Sequence, residues 1–179
     1  FAEIDDTDVL TSSVVLATTA TTGPNIPSGL ATALSSALSL TQTGSNDGTI
    51  TWDFSLANSL TQYLAAGETV TAVYTITITD DSGTGNNTAT RDVTVVITGT
   101  NDTPTITVVD VNGAVTEDAA TPTLTDSGSV TFAEIDDTDV LTSSVVLATT
   151  ATTGPAIPSG LATALSSALS LTQTGTNDG

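Results

Sequence analysis

The chain predicts an all-β fold, antiparallel β-sandwich units in tandem with one or two short helices. Three observations lead there. Residues 1–48 recur at 132–179, a shift of 131 residues, with two differences, Asn25 against Ala156 and Ser45 against Thr176. A period that long is the size of a whole domain rather than of a solenoid repeat. Residues 69–79 alternate strictly, with Val70, Ala72, Tyr74, Ile76 and Ile78 on one face and Val73, Thr75, Thr77 and Thr79 on the other. That is the pattern of an antiparallel strand packed on one side. Several further short β-type runs are bounded by turn signals at roughly 8–12-residue spacing, as in a β-sandwich. Aromatic residues make up only 3% of the chain, so Val, Ile, Leu, Ala and Thr must fill the core. The β-branched members of that set favour strands.

Taken in order, residues 13–19 read as a strand. Residues 28–40 read as a brief helix, because Leu30, Leu34 and Leu38 recur every fourth position. Gly48 turns the chain into a strand at 49–54. Leu56, Leu60 and Leu64 suggest a second helix that Gly67 stops. The 69–79 strand, the turn at 80–87 and a strand at 88–98 that lines up Val93, Val95 and Ile97 form a long hairpin. Shorter strands are expected at 105–109, 113–116 and 128–134.

The domain join falls at residues 99–104. Pro104 cannot donate to a strand ladder and biases Thr103 to extended backbone, and no Gly-Ser run loosens the link. On this reading residues 1–101 are the C-terminal portion of one repeat, lacking its first strands. Residues 102–179 are the N-terminal portion of the next, lacking its C-terminal hairpin. A full unit would run from about Asp102 through the second 48-residue copy into another copy of 49–101, and neither half holds a full core alone. The chain is expected to be an excerpt of a longer array. The alternative is that neighbouring molecules supply the missing strands.

Twenty acidic residues face a single basic one, Arg91, for a net charge of −19, with no His or Cys. No basic face for nucleic acid or anionic lipid can be built, and no disulfide or thiolate metal site exists. There is no apolar run of about 18 residues, so direct membrane insertion is not expected. Catalysis is also disfavoured. Neither His nor Lys is present as a base near neutral pH, and there is no Cys nucleophile. Trp52, Tyr63 and Tyr74 read as core or edge residues.

The acids instead gather where strands end. Glu3, Asp5, Asp6 and Asp8 form one group, repeated as Glu134, Asp136, Asp137 and Asp139; Asp80 and Asp81 form a second, Asn101 and Asp102 a third, Glu117 and Asp118 a fourth. Oxygen-rich groups without nearby cations are the donor set that Ca2+ prefers, with six to eight oxygens. Asp92 and Asp126, standing alone, read as solvated surface.

Val115-Thr116-Glu117-Asp118, the acidic 134–142 run, Leu64-Ala65-Ala66-Gly67-Glu68-Thr69-Val70, Tyr74 to Asp81, and the closing Gly99-Thr100-Asn101-Asp102-Thr103-Pro104 occur in order around the unit. In this the chain resembles the VCBS repeat, a cadherin-like module tandemly repeated in large bacterial surface proteins and RTX adhesins. The resemblance covers essentially the whole chain, and the Gly-Thr-Asn-Asp-Thr-Pro ending is its most specific part. It implies an Ig/cadherin-like sandwich, export to the cell surface, and Ca2+ held mainly at domain junctions. By position, the intact junction would use Asp80, Asp81, Asn101, Asp102, Glu117 and Asp118, with Asp136, Asp137 and Asp139 completing it or forming a separate loop site. The stretch 149–171 and its twin 18–40 look like an insertion relative to a typical unit.

The expected function is structural and not enzymatic: an extender repeat of a long adhesin, stiffened by Ca2+ between neighbouring repeats, projecting a distal domain for adhesion or biofilm formation. Two rivals remain: a subunit of an extracellular fibre completed by strand exchange between identical chains, and a Ca2+-dependent carbohydrate- or partner-binding domain that would use Trp52.

Overall fold

The computed structural model describes all residues except Glu3, Asp6, Thr84, Thr121, Asp178 and Gly179, and leaves the Val108 side chain undescribed. The fold is all-β with two short helices. The chain divides into two compact units, Phe1–Asp102 with Ile135–Thr138, and Thr103–Glu134 with Asp139–Gly179.

Unit 1 contains strand β1 (Thr11–Thr21), helix α1 (Ser28–Leu34), and strands β2 (Leu38–Thr43), β3 (Thr49–Phe54), β4 (Thr69–Thr79) and β5 (Thr88–Thr98). A 3-10 turn at Asn58–Leu60 precedes β4. β4 is the centre of a three-stranded antiparallel sheet in the order β1-β4-β5. Its register sets Val14 against Ile76 on one side and Val93 against Tyr74 on the other. The β1 ladder slips between Leu16 and Thr18, a bulge at Ala17. β2 and β3 make a separate antiparallel hairpin, Leu38 opposite Phe54 and Thr43 opposite Thr49.

Both sheets feed one core. Leu30 and Leu34 of α1, Leu38 of β2, Leu64, and Val70, Ala72 and Tyr74 of β4 are buried together. Val14, Leu16, Phe54, Val93 and Val95 pack around them. Tyr74 is the keystone of this arrangement. Its hydroxyl donates to the Leu34 carbonyl at 2.8 Å, and its ring meets Phe54 edge-on at 6.3 Å, a geometry worth about 0.5–1.5 kcal/mol beyond burial. Burial without water raises the Tyr74 phenol above its usual pKa.

Unit 2 carries strands β6 (Thr105–Val108) and β7 (Val130–Ala133), paired antiparallel with Ile106 opposite Phe132, and helix α2 (Ser159–Leu165). It offers an internal comparison with unit 1, because residues 142–179 repeat 11–48. α2 spans the same seven residues as α1, each following a proline, Pro27 or Pro158, in extended backbone at the cap position. Residues 142–152, identical to β1, form no strand. The helix needs only local i to i−4 bonds, whereas a strand needs a partner, and the β4 sequence occurs once. Burial follows the same logic. Leu30 and Leu34 are both 0% exposed, while their counterparts Leu161 and Leu165 are 50% and 37% exposed.

Several expectations change. The leucine spacing suggested one helix over 28–40, but the helix ends at Leu34. Leu38 and Leu40 also satisfy period-2 alternation, and pairing with Phe54 and Trp52 of β3 draws them into a strand. The helix expected across 56–64 shortens to the 3-10 turn. Residues 113–116 are not a strand; the Ala114 N–H donates instead to the Asp126 carboxylate. Unit 1 holds a buried core, to which the 18–40 stretch supplies Leu30, Leu34 and Leu38.

Leu34→Ala should cost unit 1 about 2–5 kcal/mol, as expected for buried leucines. Leu165→Ala should cost well under half of that, and chemical denaturation of the two variants checks the contrast.

Candidate functional site

Acids are excluded from the sheet interior by electrostatics. β1 and β4 contain no Asp or Glu, and β5 contains Asp92 alone, whose carboxylate accepts from the Thr75 hydroxyl at 2.7 Å. Asp53 lies on β3, and the other described carboxylates lie in turns and loops.

The most developed group lies where the end of β5 meets the start of β4. Gly67, at φ 81°, opens the 64–68 turn, and its N–H donates to the Gly99 carbonyl at 3.1 Å. The Gly99 N–H returns a bond to the Glu68 carbonyl at 2.8 Å. A Cβ on Gly99 would overlap the Leu64 and Ala65 carbonyls, so this crossing requires glycine. One oxygen of the Glu68 carboxylate accepts the Ala65 N–H at 3.0 Å, closing the turn.

Residues 135–138, from the second copy of the repeat, pack onto this turn as part of unit 1. Asp136 is fully buried, and its Oδ2 accepts the Asp102 backbone N–H at 2.8 Å. The Asp137 N–H donates to the Tyr63 carbonyl at 3.1 Å, and the Thr138 hydroxyl donates to Glu68 Oε1 at 2.8 Å. The Tyr63 phenol is raised above its usual pKa, first by burial and then by the negative fields of Asp137 and Glu68. Its buried hydroxyl has no hydrogen-bond partner among the described residues. Asp5, the counterpart of Asp136 in the first copy, is exposed.

The other candidate acids sit elsewhere. Asp80 and Asp81 cap the far end of β4, where Asp80 Oδ1 accepts from the Ser82 N–H and hydroxyl, and Asp81 Oδ1 accepts the Val9 N–H at 2.9 Å. That end adjoins the first acidic loop, whose Asp5 and Asp8 carbonyls accept the Asn46 side chain at 2.9 and 3.2 Å. β4 is eleven residues long, which at about 3.3 Å per residue separates Asp80 and Asp81 from Glu68 by about 35–40 Å along the strand. The structure therefore does not bring Asp80 and Asp81 to Asn101 and Asp102 in one site. Asn101 turns its amide onto the Asp102 carbonyl.

Glu117, Asp118 and Asp139 belong to unit 2. Asp118 accepts the Ala120 N–H at 2.7 Å, and the Asp139 carbonyl accepts the Asn177 side chain at 3.2 Å. Glu3 and Asp6 lie outside the described residues. Among the described residues no three acidic side chains are grouped to hold a metal ion.

Glu68 is the residue that sequence reasoning passed over. Its signal lay in the Gly67-Glu68 turn, quoted for its pattern and not for its charge. Trp52, the exposed aromatic of interest, is 47% exposed on β3 opposite Leu40. Among the described residues no helix is long and apolar enough to cross a membrane. No protein-family model, curated protein or solved structure matches the chain.

Asp136→Ala would strand the Asp102 N–H and should destabilise unit 1 by about 1–3 kcal/mol, the usual cost of an unsatisfied buried donor. The same change at exposed Asp5 should cost less, and denaturant midpoints of the two variants check this. In unit 2 the Ala114 and Ser127 N–H groups, at 2.7 and 2.8 Å, hold the Asp126 carboxyl below the usual carboxylate range. The charged form is the one favoured by the fold. Asp126 therefore steadies its loop above the unfolded carboxylate pKa and loses that effect as pH falls through its lowered folded value. NMR titration of Asp126 should show the depressed pKa, and Asp126→Asn should remove the acid-range change at Ala114.

Proposed function

We propose that this chain is an extender segment of a long bacterial cell-surface protein, built from tandem copies of one β-rich unit and performing no catalysis. It holds a distal binding domain away from the cell for adhesion or biofilm formation. The observation that carries this reading is the 131-residue period, in which 46 of 48 aligned residues are the same. Near-identity over a domain-sized period suits a part whose use is repetition, because length grows by adding units.

The junction turn supports the same reading. Glu68, Asp102, Asp136 and Asp137 come from consecutive copies of the pattern, and the bonds among these residues and Tyr63 and Thr138 tie the chain before Pro104 to the chain after Glu134.

Calcium enters through charge. A chain of net charge −19 repels itself in the compact state, and a divalent cation bound at its acidic turns relieves that repulsion. The cation would stiffen the array and raise its stability by mass action, by about 2.7 kcal/mol at a hundredfold excess over Kd.

Small-angle scattering and thermal melting in EDTA and in millimolar Ca2+ check the proposal. The expected result is a longer, narrower distance distribution and a higher Tm with Ca2+. Unchanged length and Tm would contradict the role of the cation.

The carbohydrate-binding rival draws support from the half-exposed Trp52. It requires glycan-array binding that Trp52→Ala abolishes.

A further inference from the structure

We infer that the apolar surface of unit 2 made by residues 142–152, α2 and residues 169–174 is a docking face for a second copy of the 49–98 block, carried on the same polypeptide. The inference rests on the tandem reading above and names the partner that completes the unit.

Identical residues are buried in unit 1 and exposed in unit 2. Leu38 is 5% exposed in unit 1, while Leu169, its counterpart, is 66% exposed. Leu161 and Leu165 show the same release relative to Leu30 and Leu34. In unit 1 these positions share one buried cluster with Leu64 and with Val70, Ala72 and Tyr74 of β4. The face in unit 2 is therefore shaped by the same side chains for the same cover. A cavity of about 130 Å3 lies among residues 145–148, Leu165 and Leu169.

The acceptor for Tyr74 is also repeated in unit 2. In unit 1 the Leu34 carbonyl takes the Ala37 N–H at 3.3 Å and, on its other lone pair, the Tyr74 hydroxyl at 2.8 Å. The Leu165 carbonyl takes the Ala168 N–H at 3.3 Å in the same way. It offers the equivalent lone pair to a second β4-type tyrosine.

The turn geometry assigns the occupant to the same polypeptide. In unit 1 the turn after β2 delivers the chain into β3. It is set by Gly44 at φ 85°, by the Leu10 N–H on the Ser45 carbonyl at 2.7 Å, and by Gln42 on the Leu10 and Gly44 carbonyls at 2.8 and 3.1 Å. In unit 2 the same turn is already formed. Gly175 has φ 83°, the Leu141 N–H meets the Thr176 carbonyl at 2.7 Å, and Gln173 reaches the Leu141 and Gly175 carbonyls at 2.9 and 3.0 Å. This turn is preset to launch a β3-type strand. Charge offers no opposition, since the face carries no ionised side chain and β4 has no Asp, Glu, Lys or Arg.

The register follows from unit 1: Thr142 opposite Thr79 of the second copy, Val145 opposite Ile76, Thr152 opposite Val70, and the bulge at Ala148.

The test extends the full chain by repeating residues 49–102 directly after Gly179 and follows amide exchange by NMR. Mass spectrometry would confuse the two identical segments. Exchange at 142–152 should slow on the order of a hundredfold, tenfold per 1.4 kcal/mol of protection, reaching the range of 11–21. Tyr74→Phe in the appended copy alone should return about fivefold of that, the effect of one hydrogen bond. Unchanged exchange at 142–152 while 11–21 stays protected would overturn the inference.

A second arm uses the unextended chain over a range of concentrations. Fast exchange at 142–152 throughout supports an occupant on the same polypeptide. Protection that grows with dimerisation assigns the face to a second molecule and overturns it. Neither arm depends on Ca2+, so failure here is separable from failure of the scattering test.

Discussion

The structure depends on β4. This strand supplies ladder bonds to β1 and β5 on its two edges and, on one face, the Val70, Ala72 and Tyr74 side chains that cover α1. Remove that combination and the 1–48 sequence loses both its hydrogen-bonding partner and its apolar lid. Unit 2 displays the result within the same chain. Residues 142–152 pair with nothing in a sheet, α2 keeps its turns, and its leucines stand exposed. A helix makes its backbone hydrogen bonds within one segment and a strand makes them with a neighbour; the repeat separates the two effects because the sequence is held constant.

The same constraint places the acids. A sheet whose central strand must approach two neighbours cannot tolerate facing carboxylates, so charge is pushed to the strand ends. There the backbone offers N–H groups left over by the ladders, and the carboxylates take them: Asp81 from Val9, Asp126 from Ala114, Asp136 from Asp102. The acids thus act first as caps for loose backbone. Mutual repulsion among them remains as a cost of compactness.

Much of this was legible in the sequence. The alternation over 69–79 and the valines of 88–98 predicted the hairpin with its bounds, and the 49–54 strand followed from Gly48. The helix at 28 was legible in its start but not in its end, because Leu38 satisfies both a helical and a strand period and only pairing with Phe54 decides between them. The acidic turns were visible as clusters. Their grouping was not, since the distance between Asp80 and Glu68 is the length of a strand and adjacency in a list of motifs carries no such information. Glu68 was missed because a lone Glu in a glycine turn looks like surface until Thr138 and Ala65 are seen to bond it.

One sequence adopts two states according to whether β4 is beside it. Backbone chemical shifts assigned separately for residues 11–21 and 142–152 test it most directly, since equal sequences have equal random-coil values. The account predicts strand-type shifts for 11–21, none for 142–152, and helical shifts for both 28–34 and 159–165. Strand-type shifts of equal size in both copies of the segment would contradict it.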